Sequence, residues 1–136
     1  MMFRNISIIL IIITVIGCAG SPIRLSSMSP EELQAENSFL LCNTYNFNGD
    51  KEVRTELQRR NALTDQEWGL IDSGYLQIGM SELALICLKG NVIVGYGTIN
   101  VTTGTWGVHK QYVYENAFGS RSYIYVENGK VTSWQN

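Results

Sequence analysis

The chain has 136 residues, two prolines, one histidine and 16% charged side chains, enough for one small domain and too few for two. Ten Lys and Arg against twelve Asp and Glu leave a formal charge of −2 and a sequence pI near 5.3. That balance lacks the basic excess needed to grip a phosphate backbone, so no nucleic-acid partner is expected.

The hydrophobic share is unevenly spread: nine of the eleven residues from Ile6 to Ile16 are aliphatic. Arg4 supplies a positive n-region before this apolar block, and the small Gly17 follows it, the pattern of a secretory signal peptide over residues 1–17. An eleven-residue block, at about 1.5 Å per residue, covers about half of a ~30 Å hydrocarbon core, too little for a spanning helix. Val15-Ile16-Gly17-Cys18 resembles the bacterial lipobox, in which a small residue precedes a cysteine that is diacylated through sulfur, freed by signal peptidase II and then N-acylated. The resemblance implies lipidation of Cys18, with the acyl and diacylglycerol chains as the only non-protein group. Two or three such chains, at ~0.8 kcal/mol per buried methylene, anchor a protein without making it span the bilayer. The 119 residues left after processing carry nine basic and twelve acidic side chains, a formal −3. In Gram-negative lipoproteins an Asp after the cysteine favours retention at the inner membrane; Ala19 here points to the outer membrane, on its periplasmic face.

Residues 18–29, the lipidated cysteine and a run of small and polar residues, form a tether of up to about 35–40 Å when extended. A single folded domain is expected over 30–136. Ser29-Pro30-Glu31-Glu32 is a capping box with proline at the first helical position, and it opens a helix expected to reach Cys42. Leu33, Leu40 and Leu41 form one apolar stripe, with Ala35, Phe39 and Cys42 beside it. Turn residues from Asn46 to Asp50 follow, Gly49 being the position suited to positive φ, and Asp50 caps a second helix through Arg60. Val53 and Leu57 anchor that helix, while Glu56 and Arg60 read as an exposed i,i+4 pair worth a few tenths of a kcal/mol. Thr64-Asp65-Gln66-Glu67 repeats the capping box and starts a short helix with Trp68 and Ile71 inward, ending near Gly74. Ser81 caps one more helix, which Gly90 terminates.

From Gly90 onward lie seven of the thirteen glycines and five of the seven tyrosines, among Val, Ile and Thr. This half reads as β. A strand around Val92 to Val101 is broken near Gly95-Tyr96-Gly97, where a bulge explains the glycines better than a phosphate loop, since no helix follows. A turn around Gly104 to Gly107 leads to Lys110–Tyr114, with Val113 on one side and Tyr112 and Tyr114 on the other. Asn128-Gly129 then favours a two-residue type I′ turn, which opposes Glu127 to Lys130, Tyr125 to Thr132 and Tyr123 to Trp134 on one face, and Val126 to Val131 on the other. Helices first and strands after, without βαβ alternation, indicate an α+β fold: N-terminal helices packed on a three- to four-stranded antiparallel meander sheet.

From Gly74 onward the order is Ile78-Gly79-Met80-Ser81, a short helix, Gly90, a strand with Asn100-Val-Thr102, then Gln111-Tyr-Val-Tyr114 and Tyr125-Val-Glu-Asn-Gly-Lys-Val131. Residues 74–135 thereby resemble the SmpA/OmlA, or BamE-like, family of small outer-membrane lipoproteins. That resemblance implies two helices against a three-stranded antiparallel sheet, and a role as accessory to the machine that inserts β-barrels into the outer membrane. The chain departs from the family in having Val92 where a proline is usual, Cys87 inside the helix, and a helical region ahead of the family element.

With Cys18 lipidated, Cys42 and Cys87 are the remaining thiols in an oxidising compartment, and one intramolecular pairing exists. Either they form a disulfide, or they pack as two separate apolar groups. One sheet face is expected to collect Tyr112, Tyr114, Tyr123, Tyr125 and Trp134, the other Val113, Ile124, Val126 and Val131. Helices cover only one of them. Either the aromatic face is an exposed protein-binding surface rimmed by Glu127 and Lys130, or it is the core.

No GxSxG, HExxH, P-loop or paired-cysteine zinc spacing is present, and the single His109 sits between a glycine turn and a strand. No catalytic residue, metal site or small-molecule substrate is therefore expected. The function expected is that of a non-enzymatic, membrane-anchored lipoprotein that binds envelope proteins, barrel-assembly subunits among the candidates, in outer-membrane assembly or envelope maintenance. The alternative is an inhibitor of a periplasmic hydrolase, because BamE-like domains resemble β-lactamase-inhibitor domains in architecture.

Overall fold

A computed structural model describes residues 27–92 and 97–136. The expected signal peptide over residues 1–17, Cys18, most of the expected tether and the Gly95-Tyr96 pair lie outside the described residues. Five helices precede four strands: α1 Pro30–Ala35, α2 Ser38–Asn48, α3 Lys51–Arg59, α4 Asp65–Ser73, α5 Glu82–Lys89, then β1 Gly97–Gly104, β2 Gly107–Glu115, β3 Arg121–Glu127 and β4 Lys130–Gln135. The strands form one antiparallel sheet in the order β1-β2-β3-β4, a meander beneath a helical layer, which is the α+β arrangement expected. Among the described residues no helix is long and apolar enough to cross a membrane.

The helix starts follow their caps. Ser29 and Thr64 each form a complete capping box, with Glu32 and Glu67 respectively, and Asp50 accepts from the backbone N–H groups of Glu52 and Val53. The first helix differs from expectation. It ends at Ala35, and Asn37 caps a new helix by accepting from Leu40 N. The break resets the helical phase, so Leu41 and Cys42 are fully buried while Phe39 remains 46% exposed. The new helix runs on to Asn48, and Gly49, at φ 65°, closes it in the left-handed region.

The core lies between the helical layer and one face of the sheet: Leu33, Leu41, Val53, Leu57, Leu85 and Ile86 from the helices meet Tyr112, Ile124, Val126 and Val131 from the strands. A disulfide joins Cys42 on α2 to Cys87 on α5, their Cα atoms 4.2 Å apart, so the bridged arrangement is the one present. Beside it the Asn46 side chain donates to Leu88 O at 2.8 Å, and Asn43 Oδ1 accepts from Asn91 N. A Cβ on Gly90 would stand 2.6 Å from Asn46 Oδ1, so glycine allows this close approach as well as its φ of 79°.

Elsewhere Arg54 on α3 chelates Asp72 on α4 at 2.6 and 2.9 Å and lies over the Trp68 ring, 4.4 Å from its centroid. Glu56 and Arg60 do not form the exposed pair the spacing suggests. Glu56 is 6% exposed and accepts from both Arg59 and Arg60, because Arg60 is drawn inward to the end of α1.

Candidate functional site

Among the described residues the helices cover one face of the sheet and leave the other open, so which side chains populate the open face is decided by strand register. β2 pairs with β3 so that Tyr112 opposes Ile124 and Val113 opposes Tyr123. Directly opposed residues share a face, and the face alternates along each strand. Tyr112 and Tyr114 therefore lie on the helix side with Ile124 and Val126, while Tyr123 and Tyr125 lie on the open side with Val113.

This corrects the single aromatic face expected from sequence. Tyr112 is buried, and its hydroxyl donates to Glu82 Oε1 at the start of α5. Lys110 Nζ donates to the same carboxylate oxygen at 2.7 Å. Tyr114 donates to Gly90 O at 3.0 Å and stacks on Tyr112. Burial, with Glu82 as the next cause at Tyr112, pushes both phenols well above the usual tyrosine range. These two tyrosines are core residues whose polar tips find partners in the helical layer.

Trp134 leaves the expected face for a different reason. The Asn128-Gly129 turn, with φ of 48° and 78°, sets Glu127 opposite Lys130 and Val126 opposite Val131 as expected. A register shift between Tyr125 and Val126 then intervenes, and the pairs become Tyr125 with Ser133, Ile124 with Trp134 and Tyr123 with Gln135. The extra residue in β4 moves Trp134 across the sheet to the helix side, where it is 40% exposed beside Tyr75 and Leu76.

The open face keeps two of the five expected aromatics. Tyr123, Tyr125 and Val113, all half-buried, form its apolar middle. A shallow depression of about 530 Å³ runs over Val113 and Tyr123 toward Thr98 and Asn100 on β1. Its borders are polar. Arg121 Nε meets Glu115 Oε2 at 2.7 Å at one end, and His109 Nδ1 lies 3.4 Å from Glu127 Oε1 at the other. Trp106 packs edge-on against His109, with ring centroids 4.5 Å apart. Across the middle, Asn100 Nδ2 donates to Gln111 Oε1 at 2.9 Å and Gln111 Nε2 donates to the Tyr125 hydroxyl at 3.1 Å, an amide ladder over three strands.

No protein-family model, curated protein or solved structure matches this chain.

Val113, Gln111, Asn100 and the Glu115–Arg121 pair belong to the site although sequence reasoning did not place them there. One signal for the register was available. Glu115 and Arg121 flank the Asn116–Ser120 loop and carry opposite charge, and treating them as a cross-strand pair puts Tyr112 beside Ile124. The loop holds that register: Asn116 Oδ1 accepts from the backbone of Phe118 and Ser120, and Asn116 N donates to Ser120 O. Cys18 lies outside the described residues.

Proposed function

We propose that the protein is a non-enzymatic lipoprotein, anchored through Cys18 to the periplasmic face of the outer membrane, that binds other envelope proteins as an accessory to outer-membrane assembly or maintenance. The observation that carries this reading is the uncovered sheet face. Its middle is Tyr123, Tyr125 and Val113, and its edges are ion pairs and amides, the composition of an aromatic-centred interface with a polar rim. The lipobox-like Val15-Ile16-Gly17-Cys18 and the tether after it support the anchor, and the BamE-like order of motifs supports the assembly role.

The test is capture from detergent-solubilised envelopes with the full-length protein as bait, beside a Tyr123→Ala/Tyr125→Ala variant. Barrel-assembly subunits held by the native chain and lost by the variant are the expected result. A periplasmic hydrolase held in their place, and inhibited, would replace this reading with that of an inhibitor. Mass spectrometry of the mature N-terminus should find Cys18 acylated; an unprocessed N-terminus would remove the anchor from the proposal.

A further inference from the structure

The two edges of the sheet are treated differently. The outer edge of β4 is occupied by the segment leading into α5: Gly79 N donates to Val131 O at 2.8 Å, Val131 N donates to Met80 O at 2.9 Å, and Ser81 bridges to Lys130. β4 also carries a lysine and the register shift, both ordinary ways to blunt an edge. β1 has none of these protections. Its eight residues, Gly-Thr-Ile-Asn-Val-Thr-Thr-Gly, contain no charge and no proline, and they pair with β2 without a break from Gly97 opposite Tyr114 to Gly104 opposite Gly107. Among the described residues no backbone hydrogen bond reaches β1 except from β2.

We propose that β1 pairs antiparallel with β1 of a second copy of this chain, about a two-fold axis through Asn100, joining two four-stranded sheets into one. The strand is self-complementary. Thr98-Ile99-Asn100-Val101-Thr102 presents the same residue classes in both directions, so the axis sets Ile99 against Val101 and Thr98 against Thr102. Both aliphatic pairs fall on the helix side and both threonine pairs on the open side, which keeps the helices of the two copies on one side of the joined sheet. A one-residue slip would oppose Asn100 to Val101 and turn the partner's helices to the other side. The amide ladder that starts at Tyr125 ends at Asn100 on the free edge, where the same amide of the second copy would continue it. This inference is independent of the envelope-accessory reading; on a membrane, the lipid anchor would raise the effective concentration of the two copies.

The test uses the full-length chain carrying Asn100→Cys or Thr102→Cys, with the native chain as the blank for Cys18, under mild oxidation. Directly opposed residues have Cα atoms about 4.5–5.5 Å apart, within disulfide reach, so Asn100→Cys should form a covalent dimer. Thr102 would lie at least about 13 Å from its own copy, and Thr102→Cys should stay uncrosslinked. Sedimentation of the native protein should show a reversible dimer, weakened at least about tenfold by a Val101→Lys edge charge. Equal crosslinking of both cysteine variants, no crosslink at Asn100→Cys, or a native chain that stays monomeric across the micromolar range would each overturn the proposal. Crosslinking of Asn100→Cys to a different protein would overturn it too, because β1 would then accept a foreign strand.

Discussion

Glu56 Oε1 lies 2.6 Å from Arg60 Nε, and the same guanidinium reaches out of α3 to the carbonyls of Leu33, Gln34 and Glu36 at the end of α1. A helix end leaves carbonyls without intrahelical partners, and a six-residue helix such as α1 has little intrinsic stability. Arg60 supplies those partners from another helix, and Glu56 fixes the guanidinium in place. The pair thus joins α1 to the core, a role the i,i+4 spacing does not disclose.

Arg60→Ala should therefore cost about 2–4 kcal/mol, because among the described residues it leaves Glu56 with Arg59 alone and takes the side-chain donor from the carbonyls of Gln34 and Glu36, while Leu33 O keeps its bond from Glu36 N. Arg60→Lys should recover less than half of that loss, since a single ammonium cannot span the fan of acceptors that a planar guanidinium reaches. Urea unfolding of the three proteins measures it. A loss under about 0.5 kcal/mol for Arg60→Ala would place the pair among ordinary surface contacts.

The pairing also sets a pH dependence. Hydrogen bonds from Arg59, then from Arg60, outweigh burial and hold Glu56 at about 2, below an ordinary 4.5. A carboxylate depressed on folding adds stability that is complete above its unfolded value and is lost as pH falls toward its folded value. The stability gap between the native chain and Glu56→Gln should be constant above about pH 5.5 and should narrow steadily between about pH 4.5 and 2. Its size at neutral pH should be about 1–2 kcal/mol, because Arg59 is more than half exposed and its share is screened by water. A gap that holds constant down to pH 2.5 in thermal melts would contradict the assignment.

Local chemistry was legible in the sequence where it acts over a few residues. Ser29, Asp50, Thr64 and Ser81 each cap the helix their motif announces, and Asn128-Gly129 makes its turn. What depends on a distant partner was not. The α1–α2 break has a local signal, the Asn37 cap, that the longer apolar stripe masks, and it is held as well by Arg60, more than twenty residues away in the chain. The facing of Tyr112 and Tyr114 depends on Glu82 and Gly90 in the helical layer, and the place of Trp134 on one extra residue in β4. An alternating strand shows which residues share a face without showing which face is covered.

The Cys42–Cys87 bond closes a 45-residue separation between α2 and α5. On the chain-entropy model a loop of that size contributes about 4 kcal/mol, a large part of the stability of a small domain. Protein purified without reductant should show neither thiol to an alkylating reagent after denaturation, and the Cys42→Ala/Cys87→Ala double variant should melt at least about 10 °C lower. Two alkylated cysteines at 42 and 87 in peptide mass spectra would refute the bond, whatever the variant's melting temperature.

The division of the aromatics yields the last prediction. Tyr125 and Val126 are neighbours in β3, yet Val126 is 1% exposed in the core while Tyr125 lies on the open face, holding Gln111 through its hydroxyl. Val126→Ala removes two methyl groups from a closed site and should cost about 1–3 kcal/mol, whereas Tyr125→Ala should cost less than about 1 kcal/mol. Tyr112→Phe makes the complementary case: the ring stays, but Glu82 loses a donor and keeps Lys110 alone, so a loss of about 1–2 kcal/mol is expected in spite of the conservative change. Partner capture should follow the opposite order, with Tyr125→Ala weakening it by 1 kcal/mol or more, as an aromatic hot spot does, and Tyr112→Phe leaving it unchanged while the domain is folded. A thermal scan of the three variants beside the native chain separates the two faces. A large loss at Tyr125 with little at Val126 would mean that the helices cover the other side of the sheet, and would remove Tyr123 and Tyr125 from the proposed binding face.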